Sequence, residues 1–486
     1  MTAWAQRNEA RIWIFLIALA IIRCWIMGLP VPFQLDETGP VWITAGGWGN
    51  LLQRSTEFTQ STLYCAILLV VRAVFGLHEW SFRLPSLIAS SVSLVLLYKL
   101  ARRYFDPTGA LLVLTLWLYI PINPRLAMMA RPYGLATAAV FLGYLLLFRW
   151  LEKPTWARFA IYSVVVVLPY YLSFMWALIV LAHAIYIVYR LYTGLILPRL
   201  QVVLLPFIWG LLALPLVPQM LEISKAAALH NVPVVVQSRD LLAVFVPTAI
   251  AICHLAAWVA TRFFGAGQSE HPEFPREGIV LCLATMACMT VPLYLLTRFG
   301  QIDLWTPMYL AGISGAFAIL HTAILRSLGP SVSRVAGIAA MGFLVFPSAW
   351  SVTTPAYVIS PVNYRLISAM LNEQAKVPGT ALVMTSEFED GFHVQFPVDE
   401  YEQVELLAQL SMYPVNAPIR LVPYTPDQAR PEYFAKLNAD LAGYKRVVFF
   451  SSSESVWFGK AFETGYRLTR LPAGAGRQLV VYERIE

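Results

Sequence analysis

Two adjacent carboxylates, Asp36 and Glu37, follow the first apolar stretch of the chain. Only thirteen acidic residues occur among the first 360, so each one is a candidate for a specific role. A carboxylate at the edge of a bilayer is costly unless it is solvated, paired or used in chemistry. An ionised carboxylate can also accept a proton from a reacting group. We therefore predict that this pair lies at the centre of a catalytic site that faces away from the cytoplasm.

The composition indicates that this site must be carried by a membrane protein. The chain of 486 residues is 58% hydrophobic and 13% charged, with a mean hydropathy of +0.63, whereas about 25% of the residues in soluble domains are charged. Apolar runs long enough to cross a bilayer recur through its first 350 positions. We predict a polytopic α-helical membrane protein with about eleven spans. The predicted spans are 12–29, 84–100, 109–122, 133–150, 157–171, 173–190, 201–218, 241–262, 278–297, 304–325 and 333–350.

Basic residues predict the orientation of these spans. If the short apolar segment 61–76 lies along the surface as an interfacial helix, fourteen Lys and Arg side chains fall on one side of the membrane and eight on the other. The richer side of a membrane protein is normally cytoplasmic. The expected arrangement is an inner- or plasma-membrane protein with its N-terminus inside and an external loop at 30–83.

The last part of the chain has a different composition. Residues 361–486 hold 27 of the 63 charged side chains, and periodicity there predicts helices alternating with strands. We predict a membrane domain at 1–355 and a soluble α/β domain with a partly parallel sheet at 356–486, facing the periplasm. The helices are predicted at 362–374 and 431–441, and the strands at 380–384, 446–450 and 478–482. The net positive charge comes from loops that flank the spans, so nucleic acid is not an expected partner.

Three segments resemble the dolichyl-phosphate-mannose protein mannosyltransferase-like superfamily, in order and at similar spacing. Asp36-Glu37 resembles the Asp-Glu pair of the superfamily's first external loop. Phe75–Ser86 resembles its Phe-Gly-x-x-Glu-x-x-x-Arg-x-Pro-Ser stretch. Ala127–Tyr133 corresponds to its second external loop. The superfamily includes the bacterial aminoarabinose transferases and members of glycosyltransferase family 39. The resemblance covers the first 190 residues. It implies the GT-C fold and transfer of a sugar from a polyprenyl-phosphate donor.

The chain departs from that family in two places. Residues 59–64 stand where many members have His-Pro-Pro or Lys-Pro-Pro, and the second external loop at 121–134 has no Asp or Glu. That loop therefore offers no second carboxylate that could bind a metal. No cofactor is predicted, and a divalent cation at Asp36 and Glu37 is left open.

The resemblance implies a division of roles within the carboxylate pair. Asp36 is the candidate general base, which removes the acceptor proton while the new bond to the anomeric carbon forms, with inversion. Glu37 points elsewhere, because sequence neighbours do not share a helix face, and is expected to bind the acceptor or to orient a basic partner. The alternative is that Asp36 caps a helix that begins near Thr38.

The departing phosphate requires cations, and arginine is preferred because its planar fork binds two oxygens. The candidates are Arg83, within the family stretch, then Arg131 and Arg298. The alternatives for each are a position at the lipid headgroups or an ion pair with Glu79 or Asp303. Two aromatic residues are candidates for the wall of the sugar pocket, although tyrosine is also common at membrane interfaces. These are Tyr64 and Tyr133.

The expected partners are a polyprenyl-phosphate-linked sugar, membrane lipid, and a glycan, glycolipid or protein acceptor. Two other classes of function remain open at this point. One is a transporter or flippase for a lipid-linked glycan, which would need ionisable residues deep within several spans. The other is a non-catalytic protein of cell-envelope assembly, with the C-terminal domain as its working part.

Overall fold

The structure is a computed structural model, and it divides the chain into two compact units. The helical unit comprises Met1–Pro30 and Phe82–Val358, and the mixed unit comprises Val31–Ser81 and Ile359–Glu486. Residues 31–81, expected as an external loop of the membrane domain, thus group with the C-terminal residues. The residues described are 2–26, 29, 31–58, 60–120, 122–222, 236–264, 274–300, 304–328, 331–339, 363–385, 408–422, 431–450, 465–473 and 478–485.

Helices dominate the described part of the chain. Up to residue 222 they are α1 (Thr2–Ile21), α2 (Leu35–Ala45), α3 (Leu51–Glu57), α4 (Thr62–Phe75), α5 (Glu79–Ala101), α6 (Pro107–Tyr119), α7 (Ile122–Met128), α8 (Tyr133–Glu152), α9 (Trp156–Val165), α10 (Leu168–Leu172), α11 (Ile179–Tyr192) and α12 (Arg199–Ala213). Beyond residue 236 they are α13 (Ser238–Phe245), α14 (Thr248–Phe264), α15 (Arg276–Gly300), α16 (Pro307–Leu310), α17 (Ser314–Leu328), α18 (331–339), α19 (Tyr364–Ala375) and α20 (Pro431–Leu441). A π turn at Ile22–Ile26 and 3₁₀ turns at Phe174–Leu178, Leu214–Leu216, Ala311–Ile313 and Ala408–Ser411 extend or link them.

Six helices among the described residues are long and apolar enough to cross a membrane. They are Glu79–Ala101, Tyr133–Glu152, Phe174–Tyr192, Arg199–Glu222, Arg276–Gly300 and Pro307–Leu328. The number rises to eight if α6 with α7 and α13 with α14, each bent by more than 40°, count as single spans. The prediction of a polytopic helical membrane protein is confirmed, while the number of eleven spans remains a prediction. Segment 61–76, which we predicted to be an interfacial helix, forms α4. At 14 residues this helix is short for a span.

Ion pairs join the helix ends of the helical unit. Arg103 after α5 pairs with Glu152 at the end of α8, with Nη1 and Oε1 2.7 Å apart. Three further pairs within this unit are Arg190–Glu277, Arg326–Asp106 and Arg334–Glu9. All eight residues belong to helix ends for which the sequence predicts the cytoplasmic side. The predicted spans alternate in direction, which places these helix ends on one side of the membrane. The ion pairs agree with that order, and the sequence alone does not reveal them.

Polar side chains inside the helical unit form hydrogen bonds between helices. Trp117 Nε1 donates to Ser314 Oγ at 2.9 Å, and Trp150 Nε1 donates to Gln201 Oε1 at 2.8 Å. These bonds link α6 to α17 and α8 to α12. Because a buried donor without a partner is costly in an apolar environment, such bonds fix which helices pack together.

The mixed unit contains a five-stranded sheet in the order β2-β1-β3-β5-β4. Its strands are β1 (Thr380–Thr385), β2 (Ile419–Val422), β3 (Arg446–Phe450), β4 (Tyr466–Pro472) and β5 (Gln478–Arg484). β1 pairs in parallel with β2 and β3, whereas β5 runs antiparallel to β3 and β4. The partly parallel α/β sheet expected from the sequence is confirmed.

Candidate functional site

The Asp36-Glu37 pair lies in the first turn of α2. The chain is extended at Gln34 and becomes helical at Leu35. The buried carboxylate of Glu37 turns back to this start, where its Oε2 accepts a hydrogen bond from the Gln34 backbone N–H at 3.0 Å. Glu37 therefore closes the helix N-terminus in the manner of a capping box.

Asp36 lies inside the helix and is half-buried. The alternative role for Asp36, as the cap of a helix beginning near Thr38, does not hold, because the helix begins three residues earlier and Gln34 occupies the cap position. The exposed N–H groups of a helix start carry partial positive charge, which stabilises a carboxylate in the first turn. The pair thus separates into a buried structural carboxylate and a partly accessible one.

Two arginines hold the other end of α2. Arg54 Nη1 donates to the Trp42 backbone carbonyl at 2.9 Å, and the guanidinium lies 4.2 Å from the centre of the Trp42 ring. Arg72 Nη1 donates to Thr44 Oγ1 at 3.2 Å and to the Val41 carbonyl at 3.4 Å. The last carbonyls of a helix lack partners within the helix, so cations from α3 and α4 stabilise this end.

A tyrosine from the C-terminal part of the mixed unit reaches the start of α2. The buried Tyr413 hydroxyl accepts a hydrogen bond from the Phe33 N–H at 2.9 Å and donates one to Glu79 Oε1, also at 2.9 Å. Arg365 forms an ion pair with the same Glu79 oxygen. Glu79 is therefore paired with Arg365, not with the external arginines that the sequence offered as its partners.

These contacts have electrostatic consequences for the cluster. Burial raises the pKa of the Tyr413 phenol, so the hydroxyl stays protonated and able to donate. Burial alone would lower the pKa of Arg365, but the hydrogen bond and charge attraction to Glu79, together with its interactions with Tyr413, outweigh burial and raise the pKa. Neither Tyr413 nor Arg365 was a candidate from the sequence, because neither belongs to a motif and each lies far along the chain from Phe33 and Glu79.

Tyr64, proposed as a wall of the sugar pocket, is completely buried in α4. Its backbone N–H is capped by Ser61 Oγ at 3.0 Å. The neighbouring Cys65 belongs to a hydrophobic cluster with Trp42 and Phe58. The protein therefore encloses the ring of Tyr64 completely, and a role for it in the sugar pocket stays a prediction.

In the helical unit, Arg83 lies in α5 and its side chain is fully buried. Its Nη1 donates to the Leu29 carbonyl at 3.1 Å. One turn further along, Ser86 Oγ donates to the carbonyl of Arg131 at 2.9 Å, and a Cβ on Gly134 would lie only 3.1 Å from the Ser86 carbonyl oxygen. The starts of α5 and α8 are therefore in close contact, which places Arg83 and Arg131 on adjoining helix starts.

Arg131 contacts an aromatic cluster. Its Nη2 donates to the Tyr133 hydroxyl at 3.3 Å, and its guanidinium lies 5.6 Å from the centre of that ring. Tyr133 is buried and lies about 6 Å from the rings of Trp176 and Tyr309. The structure thus brings the predicted residues Arg131 and Tyr133 into contact and adds two aromatic residues that the sequence did not single out.

Arg298 has a different environment. It is exposed near the end of α15, where its Nη1 donates to the Val236 carbonyl at 2.7 Å and its guanidinium lies 5.8 Å from the Phe299 ring centre. Its predicted neighbour Asp303 lies outside the described residues. Its hydrogen bond to Val236 joins it to the chain entering α13.

The helical unit contains an apolar cavity of about 520 Å³. α13, α14, α16 and α17 provide most of its wall, with Asp240, Trp305 and Ser314 as polar or amphipathic members. A space lined in this way admits an apolar chain. Among the described residues, no group of three or more His, Cys, Asp or Glu is arranged to hold a metal ion.

Comparisons with known proteins agree with this architecture. Residues 60–221 match the family model described as dolichyl-phosphate-mannose-protein mannosyltransferase. The crystal structure of ArnT from Cupriavidus metallidurans in the apo state superposes with a TM-score of 0.53 at 12% identity, covering 97% of each chain. The chain therefore shares the fold of this ArnT, which is the GT-C fold that the sequence resemblance implied. The structure of the same ArnT bound to undecaprenyl phosphate superposes with a TM-score of 0.52 at 12% identity, covering 96% of this chain and 97% of that one. A search of curated proteins found no match.

Membership of this fold class agrees with the resemblance stated from the sequence. The apolar helices and this fold likeness together indicate a multi-pass membrane protein.

Proposed function

We propose that this GT-C protein moves a sugar from a polyprenyl-phosphate donor to an acceptor outside the cytoplasm, in the bacterial inner membrane, with inversion and with Asp36 as general base. The fold match extends over 97% of the chain, and a protein of that fold has been crystallised with undecaprenyl phosphate. The donor class is inferred from that likeness. The acceptor class is a glycan, a glycolipid or a protein.

The observation that carries the proposal is the division of the Asp36-Glu37 pair. Glu37 is buried and caps α2, whereas Asp36 is half-buried in the first turn and takes no part in the cap. A general base must be reachable by the proton that it removes. Of the two carboxylates, Asp36 meets that requirement better.

The proposed reaction is a single displacement. The acceptor hydroxyl or amine forms a bond to the anomeric carbon and gives its proton to the Asp36 carboxylate. The bond from the anomeric carbon to the phosphate oxygen breaks, and its electron pair leaves with the polyprenyl phosphate. Attack opposite the leaving group inverts the anomeric centre.

The phosphate gains negative charge as it leaves, so the proposal needs cations for it. We assign this role to Arg83 and Arg131, because the contact between Ser86 and the Arg131 carbonyl holds their helix starts together. Guanidinium groups stabilise a departing phosphate most strongly where water is excluded. Tyr133, which contacts Arg131, is assigned to the sugar pocket. Arg298 remains a predicted contact for the polyprenyl-phosphate sugar donor. Its position depends on the segment that enters α13, to which it is hydrogen-bonded.

Substitution of Asp36 by Asn tests the proposal. Asn keeps the size of the side chain but cannot take up the proton, so transfer should fall by a factor of about 100 or more, while binding of undecaprenyl phosphate stays within twofold. Release of polyprenyl phosphate from a panel of undecaprenyl-phosphate-linked monosaccharides, incubated with purified protein and cell-envelope extract, measures transfer. Transfer requires both a productive sugar in the panel and an acceptor in the extract.

Glu57→Gln is the matched control, because it neutralises another carboxylate of the mixed unit, one that accepts a hydrogen bond from Gln53 in the neighbouring turn. It should leave transfer unchanged. Near-normal transfer by the Asp36→Asn protein would remove Asp36 from the mechanism. Binding of undecaprenyl phosphate by neither protein would argue against the donor class.

A further inference from the structure

The start of α2 depends on a residue 380 positions away in the sequence. The Phe33 N–H, three residues before Asp36, donates to the Tyr413 hydroxyl at 2.9 Å. Phe33 is completely buried and Tyr413 nearly so. The 3₁₀ turn Ala408–Ser411 packs against α2 immediately before this tyrosine. The C-terminal part of the mixed unit therefore meets the chain where it enters the Asp36 helix.

Tyr413 is itself firmly held. Its hydroxyl donates to Glu79, whose carboxylate also pairs with Arg365 of α19. The next residue, Pro414, accepts hydrogen bonds through its carbonyl from Ser368 Oγ at 2.8 Å and Asn372 Nδ2 at 3.1 Å, both on α19. The Tyr413 hydroxyl is thus held in place by its acceptor, Glu79, and by the hydrogen bonds that fix the adjoining backbone at Pro414.

The two ends of α2 are held by different parts of the sequence. Arg54 and Arg72, from α3 and α4, bind its last carbonyls and a hydroxyl. At the other end, Tyr413 comes from beyond residue 358, in the part of the mixed unit that follows the helical unit in sequence. Asp36 lies at this second end, so its position is sensitive to the tyrosine.

We infer that Tyr413 is a positioning residue that holds the start of α2, and with it the Asp36 carboxylate, in the geometry needed for catalysis. This inference rests on the proposed role of Asp36. Loss of the hydroxyl leaves the buried Phe33 N–H and Glu79 each without this partner, which favours opening of the first turn. A shift of about 1 Å in a reacting group can reduce turnover by a factor of about 100. The C-terminal residues would then contribute to activity without touching substrate.

Tyr413→Phe in the full-length protein tests the inference by two measurements. The first is hydrogen–deuterium exchange of the peptide covering residues 31–37, in nanodiscs. Loss of one buried hydrogen bond should speed exchange there by about fivefold. The second is the kinetics of polyprenyl-phosphate release. We expect kcat to fall by about 10- to 100-fold with the donor KM within twofold, because Tyr413 does not bind donor.

Tyr444→Phe is the matched control. It removes a phenolic hydroxyl of the same unit that accepts a hydrogen bond from Arg420 at 2.7 Å. It should change neither exchange at 31–37 nor kcat. If Tyr413→Phe does not fold, Glu79→Met removes the acceptor that orients the same hydroxyl and should also speed exchange at 31–37.

The outcomes separate this inference from the proposed function. Unchanged exchange at 31–37 in the Tyr413→Phe protein overturns the inference, whatever the activity. Faster exchange with unchanged kcat shows that the hydroxyl holds α2 but does not position a catalytic group, which also overturns it. Faster exchange and lower kcat, together with full activity of Asp36→Asn, would leave Tyr413 as a positioning residue for some other group and would overturn the role of Asp36.

Discussion

At the residue scale, Asp36 and Glu37 show how neighbouring carboxylates acquire different environments. The third residue of a helix can turn its side chain back to the N-cap amide, as Glu37 does. The second residue projects in another direction, and Asp36 is accordingly half-buried instead of fully buried. Loss of the Glu37 side chain should therefore affect the stability of the helix start, whereas loss of the Asp36 side chain should affect transfer.

Substitutions at Glu37 test this difference. Glu37→Ala removes the acceptor of the Gln34 N–H and should destabilise the helix start by about 1 kcal/mol, since it abolishes a capping interaction. Glu37→Gln keeps an oxygen at the same place and should preserve the cap, because Gln also serves in a capping box. Amide exchange at residues 34–37 measures both effects. Equal exchange in the two variants would show that the Gln34 contact does not stabilise the helix start.

The sequence identified some contacts of the site residues but not others. A helix start near the acidic pair was one alternative that the sequence offered, and the resemblance singled out the segment around Arg131 and Tyr133, whose role stays a prediction. The partner of Glu79 did not, because Arg365 and Tyr413 lie 286 and 334 positions away in the sequence. Neither has a local signal, so only the folded chain shows that the acid is already paired.

At the element scale, α2 is a short helix fixed at both ends, and a glycine makes one of those contacts possible. Gly46 is the C-cap, with a φ of −74° that any residue can adopt. A Cβ at this position would nevertheless lie 2.7 Å from Cδ and from Nε of Arg54. Space for the arginine, not backbone conformation, is therefore what requires glycine here.

Gly46→Ala should accordingly destabilise the mixed unit, by about 1 kcal/mol, as the bond from Arg54 to the Trp42 carbonyl is displaced. The sign is informative, because alanine normally favours a helix over glycine by up to about 1 kcal/mol. Thermal unfolding followed by tryptophan fluorescence measures the change. Gly49→Ala is the control, since a Cβ there would meet nothing within 4 Å.

The same substitution in an Arg54→Met background checks the cause. With the guanidinium already absent, Gly46→Ala should have little further effect, so the two changes should not be additive. Additive losses would mean that Gly46 matters for a reason other than space for Arg54.

Elements with a strong local pattern were predicted well, and those fixed by pairing were not. Helix 431–441 and strand 446–450 match the structure at both ends, because Pro431 marks a helix start and Arg446–Phe450 is a compact apolar run. β2 has only four residues and includes Arg420, which pairs with Asp440. β4 is mostly exposed and lies at the sheet edge. These two strands depend on their neighbours more than on their own sequences.

At the scale of the whole molecule, the division into units changes the meaning of the loop after α1. Residues 31–81 contain the Asp36 helix and two helices that support it, and they group with residues 359–486. A C-terminal region that would otherwise look like an appendage thus belongs to the same compact unit as the candidate base. Removal of residues 356–486 would also remove Tyr413 and Arg365, so loss of activity in such a truncation would not by itself identify an acceptor-binding domain.

The ion pairs of the helical unit predict membrane topology. Arg103–Glu152, Arg190–Glu277 and Arg326–Asp106 each join two helix ends that must share a side of the bilayer if the pair forms. The predicted order of the spans places all three pairs on the same side. Cysteines introduced at the exposed positions Lys153, Thr193 and Ser327 should therefore behave alike. The proposal adds that this side is cytoplasmic and that the mixed unit faces outward.

Labelling of spheroplasts with a membrane-impermeant maleimide tests both statements. The cysteines at 153, 193 and 327 should react only after lysis, whereas cysteines at the exposed positions Gln53 and Asn438 should react in intact spheroplasts. The unmodified protein is the control, and its buried Cys65, Cys253, Cys282 and Cys288 should give little background. A split among 153, 193 and 327 would contradict the antiparallel order. Reaction of the cysteine at 53 only after lysis would place Asp36 on the cytoplasmic side, where an acceptor outside the cytoplasm could not reach it.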